Sequence, residues 1–151
     1  MDSKDVLLWF EFADSDLEAA EHLLTLYHPR MEIICYHCQQ AAEKYLKAYW
    51  IYKGIFPPKI HELDTLCKKC FEFDPVFQEI LQACFVLSPY GVQPRYPNEM
   101  RIEEHHMKEA LEYAKRIKDF TPLQVIRGKL EKALSNETAK VETSLDTPEN
   151  V

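Results

Sequence analysis

Two cysteine pairs stand out first, Cys35-Tyr-His-Cys38 and Cys67-Lys-Lys-Cys70. Four thiolates in two such pairs are a ligand set for structural zinc. The setting opposes that chemistry. Cys35 and Cys38 fall inside a continuous apolar helical pattern, where a free cysteine behaves as a small buried hydrophobe. Neither pair carries the glycine of a zinc knuckle, and no strand precedes either one, as a thioredoxin-like pair would need. The expectation is buried thiols, with no metal and no cofactor.

Arg95 is the next candidate. It lies in Pro89-Tyr-Gly-Val-Gln-Pro-Arg-Tyr-Pro97, a stretch that three prolines restrain to an extended loop. A guanidinium held between Tyr90 and Tyr96 suits a phosphate with a stacked base. The competing role is an ion pair with an acid such as Glu43, pinning the loop to the second helix with Tyr96 in the core. Lys59 and His61 form a basic pair before the third helix, able to hold an anion at a helix N-terminus. His61 would otherwise cap or orient that turn. Gln39-Gln40 is an odd polar insertion, bonding either across a dimer or to solvent, and Lys44 and Lys47 read as solvated face.

The elements that must position these residues are helical. From Asp5 to Tyr27 the apolar residues Val6, Phe10, Ala13, Leu17, Ala20, Leu24 and Tyr27 make one stripe, ended by His28-Pro29. Met31 to Lys53 is apolar over more than half its circumference, with Ile34, Cys38, Ala41, Tyr45, Ala48 and Tyr52 beside Cys35, Ala42, Leu46 and Tyr49. Such a helix must pack on two sides, which points to a core on one and a second subunit on the other. A short helix over Glu62–Phe71 follows. Asp74-Pro75 then reads as an N-cap with proline in the first turn of a fourth helix ending at Ser88-Pro89. A fifth helix is predicted from Ile102 to Phe120. Thr121-Pro-Leu-Gln124 opens a short extension to Leu134, and Asn136–Val151 is expected to be disordered. The organisation expected is an all-α, up-and-down bundle over residues 1–120, a helical extension over 121–135 and a tail over 136–151.

At 151 residues this is one domain with core enough to fold without staples. Its net charge of −7 argues against nucleic-acid binding through a general basic surface, though not against a local basic site. No apolar run of membrane-spanning length is present, and acids stand where a secretory signal would be basic. A cytoplasmic location is expected, in which the five cysteines stay reduced.

The run His37-Cys-Gln-Gln-Ala-Ala-Glu-Lys-Tyr-Leu-Lys-Ala48, the turn Lys59-Ile-His61-Glu-Leu63 and the tripeptide Arg95-Tyr96-Pro97 occur in order. In this register the chain resembles the HEPN family over about Asp5 to Phe120. The resemblance implies a dimerising helical bundle, encoded beside or fused to a minimal nucleotidyltransferase in toxin–antitoxin-like systems. Some members cut RNA without metal through an Arg-x4–6-His motif, while others bind nucleotides or serve as partner subunits. Here Met100 stands where a histidine would follow Arg95, and Arg101-Ile-Glu-Glu-His-His106 fits Arg-x4-His instead. Arg101 would hold the phosphate and His106 would move the proton. The missing histidine after Arg95 favours a non-catalytic nucleotide- or RNA-binding partner over a metal-independent ribonuclease or a purely structural adaptor.

Overall fold

The computed structural model describes residues 2–92 and 101–145. Among them stand six α-helices: α1 (Ser3–Leu23), α2 (Met31–Tyr52), α3 (Leu63–Cys70), α4 (Leu81–Leu87), α5 (Glu104–Lys118) and α6 (Thr121–Leu145). The all-α bundle expected from periodicity is the fold.

The Asp2 carboxylate caps α1 by accepting from the Lys4 amide at 2.9 Å. Val6, Phe10, Ala13, Leu17 and Ala20 form its buried face. The helix stops at Leu23, short of the Tyr27 expected from spacing. The amide and hydroxyl of Thr25 both turn back onto the His22 carbonyl, at 3.0 and 2.7 Å, and close the last turn. Tyr27, continuing the stripe on paper, is exposed.

α2 is the centre of the bundle. It packs along α1 and α5 and also touches α3, α4 and the turn after α4. Both of its apolar stripes are buried, including Ile34, Cys35, Cys38, Ala42, Tyr45, Leu46 and Tyr49. Ile33, Tyr36, His37, Gln40 and Lys44 stay part-exposed along its remaining face. Most of its apolar surface is covered inside the subunit, because short α3 and α4 leave room for α1 and α5 to flank it on separate sides.

The segment predicted as one fourth helix is divided. Asp74 caps a 3-10 turn, Pro75–Ile80, accepting from the Val76 amide at 3.1 Å. Tighter winding places residues three apart in line, and both Phe77 and Ile80 are buried there. α4 follows, and a second 3-10 turn, Ser88–Gly91, ends this region. Phe77 then meets Phe120, ring centroids 5.1 Å apart, joining the turn to the end of α5.

α6 extends further than the sequence indicates, with residues 136–145 continuing the helix. Once Leu123, Ile126 and Leu130 are docked, propagation adds residues without a new nucleation cost. The tie to α1 is ionic. The Arg127 guanidinium grips Asp14 in two-pronged fashion, Nη1–Oδ1 at 3.1 Å and Nη2–Oδ2 at 2.5 Å. The Tyr45 hydroxyl donates to the same carboxylate at 2.5 Å. Burial by itself would raise the Asp14 pKa. Arg127, Tyr45 and Lys118 outweigh it and hold the carboxyl below its usual range.

A carboxyl lowered in the folded state contributes stability that is complete above its unfolded pKa of about 3.9 and lost as pH falls through the folded value. Asp14→Asn should therefore destabilise the chain by about 1–3 kcal/mol at neutral pH. In urea titrations at a series of pH values, the gap from wild type should close as pH drops below about 4. A gap that stays constant down to the acid limit would refute the assignment.

Candidate functional site

Three polar side chains, Gln39, Glu43 and Lys47, recur every fourth residue along α2 and so lie on one line of the helix. They are 0, 5 and 7% exposed. A carboxylate so enclosed is costly unless paired, and the chain pairs it twice. Lys47 Nζ donates to Glu43 Oε2 at 3.3 Å, and His61 Nδ1 lies 2.9 Å from Glu43 Oε1. The Gln39 amide holds the backbone of the same residue, Nε2 donating to the His61 carbonyl at 2.9 Å. Gln40 completes the set by donating to Gln39 Oε1 at 2.8 Å.

The result is an imidazole with one nitrogen fixed and the other presented. A carboxylate can only accept, so Nδ1 of His61 carries the proton and Nε2 points away from Glu43. The His61 side chain is 70% exposed. It opens onto a groove of about 340 Å³ that Glu62, Asp64, Phe85, Ser88, Pro89, Gly91 and Val92 also line. Ser88 Oγ accepts from the Leu63 amide at 3.0 Å and ties the groove's far wall to the start of α3. Nε2 can donate to a phosphate oxygen when the ring is protonated, and the exposed Phe85 ring offers a stacking face.

Lys59 is exposed on the segment that carries His61. Tyr90 is half-buried in the Ser88–Gly91 turn, and burial pushes its phenol up to about 12. Arg95 and Tyr96 lie outside the described residues. Arg101 is exposed. His106 serves the start of α5, where Nδ1 accepts from the Glu103 amide at 3.0 Å as half of a capping box. His105 stacks beside it at 4.0 Å.

Two side chains are placed differently from expectation. Lys47 is buried against Glu43 rather than solvated. Lys44 pairs with Asp16, which His37 also approaches at 2.9 Å. Glu43 as the organiser of a site was missed, although a polar residue every fourth position inside an apolar helix was a visible signal.

All five cysteines are buried free thiols. Among the described residues no three potential ligands gather at one point. Burial holds Cys35 and Cys70 up at about 12, so both remain neutral thiols near neutral pH. Native protein should therefore resist a thiol-specific chromogenic reagent over minutes, with all five thiols reacting after guanidinium unfolding.

Gly91 abuts the network. A β-carbon there would lie 2.8 Å from Gln39 Cδ and Nε2, and Gln39 is fully enclosed. Gly91→Ala should force Gln39 off the His61 carbonyl and cost about 1–3 kcal/mol. Chemical denaturation measures the cost, and the double variant with Gln39→Ala should recover part of it. Full additivity would refute the contact.

The HEPN domain model matches residues 6–124. Among solved structures, the crystal structure of TT1696 from Thermus thermophilus is similar, with 27% identity and a TM-score of 0.65. That match covers 80% of this chain and 97% of the other. No curated protein matches. With six helices wound in this order and a family model spanning most of them, the chain belongs to the HEPN family.

Proposed function

We propose that this HEPN chain is a non-catalytic subunit that binds the phosphate of a nucleotide or RNA, as a homodimer beside a minimal nucleotidyltransferase. The observation that carries the reading is the exposed His61 imidazole, aligned by buried Glu43 at 2.9 Å and facing a groove. A buried carboxylate that orients an exposed ring prepares it to donate in one direction. Lys59 supplies a cation on the same segment. Arg95 and Tyr96 follow Val92, a groove residue, by three and four positions in the sequence, and are the remaining binding candidates with Tyr90. The dimer contact proposed for α2 falls on its part-exposed face, around Ile33, His37, Gln40 and Lys44.

Ribonuclease action through Arg101 and His106 has less support. Nδ1 of His106 is already committed to the α5 backbone, and Glu103 and Glu104 bring negative charge to where an RNA phosphate would sit.

Anisotropy with labelled adenine nucleotides and short RNA should show binding that His61→Ala weakens by about tenfold, the scale of one charge-assisted hydrogen bond. Arg95→Ala should weaken it as well. Wild type and His106→Ala should both leave RNA intact in EDTA. Cleavage by wild type that His106→Ala abolishes would overturn the proposal in favour of a ribonuclease. Neither binding nor cleavage would leave the structural adaptor.

A further inference from the structure

α6 leaves the bundle with part of its surface unused. It runs antiparallel to α1: Arg127 meets Asp14, while about two turns nearer the start of α1, Leu7 shares a groove with Leu134 and Ser135. α1 begins at Ser3, yet α6 continues to Leu145. The stripe Leu123, Ile126, Leu130 and Leu134 packs into the core, but Val141, farther along the same face, is 59% exposed.

Along this seam the two helices leave an open groove of about 470 Å³. Leu7, Leu134 and Ala139 give it an apolar floor, and Glu11, Glu131 and Glu142 stand in its walls. Arg127, the one basic residue lining it among the described residues, is held by Asp14 and Glu131. Glu11 and Glu142 make no ion pair among the described residues.

A trough between two antiparallel helices is the seat of a third helix, entered by apolar side chains at helical spacing. The walls select which helix. Carboxylates on both sides, in a chain of net charge −7, favour cations flanking the anchors, whereas a second copy of this chain would bring like charge. We infer that the α1–α6 groove docks a basic amphipathic helix of a partner protein. Its apolar residues cover Leu7, Leu134 and Val141, and its lysines or arginines meet Glu11 and Glu142.

The probe is a labelled Leu/Lys amphipathic peptide, with a Leu/Glu peptide of the same pattern as control, read by fluorescence anisotropy. The Leu/Lys peptide binds wild type and the control does not. Glu11→Lys with Glu142→Lys weakens binding by about tenfold. Glu79→Lys with Glu112→Lys, the same charge change at exposed positions outside the groove, leaves it unchanged. Circular dichroism confirms that both double variants fold. Equal weakening by the two pairs would reduce the effect to net charge and overturn the site, as would failure of the Leu/Lys peptide to bind. Self-association of wild type, seen by sedimentation and abolished by Glu11→Lys with Glu142→Lys, would give the groove to a second copy instead.

Discussion

A polar group buried on a core helix must find its partners within the chain, and α2 carries a buried carboxylate. Unpaired, Glu43 at that depth would cost several kcal/mol. Lys47, one turn on, answers its charge, and His61 adds a hydrogen bond. The stretch between α2 and α3 is therefore placed by electrostatics, with the Gln39 amide holding its backbone. Satisfaction of the network then shapes what lies above it. The Ser88–Gly91 turn passes so near Gln39 that the position closest to the amide has no side chain.

A second polar cluster shows how differently the same residue types can be used. At Asp14 the carboxylate receives Tyr45 and both prongs of Arg127, and the Arg127 guanidinium also lies over the Phe10 ring. Every strong donor there is directed inward, so the cluster closes on itself and serves to bind α6 to α1. Around Glu43, by contrast, one member turns a ring outward. That asymmetry, rather than the number of charged groups, separates a site able to meet a ligand from a clamp.

The start of α5 illustrates the competition between chemistry and architecture in a HEPN chain. His106 lies at the right spacing from Arg101 for a catalytic pair, yet the first turn of α5 needs its free amides satisfied. Glu103 and His106 meet that need reciprocally. The imidazole is thereby oriented by the helix it caps.

The amphipathic stripes, the Asp74-Pro75 start and the proline breaks determined the helices and their order, because periodicity and capping act over a few residues. The family was legible for the same reason, through short motifs in register. Periodicity could show how wide the apolar surface of α2 is, but not that α1 and α5 would cover most of it. Glu43 finds His61 at a separation of 18 residues, and Asp14 finds Arg127 at 113. Such pairings exist only after the helices become neighbours, and that choice belongs to the packing of the whole core. Local sequence thus set which faces are apolar, while tertiary structure decided which cations reach which carboxylates, and so which histidine is left facing out.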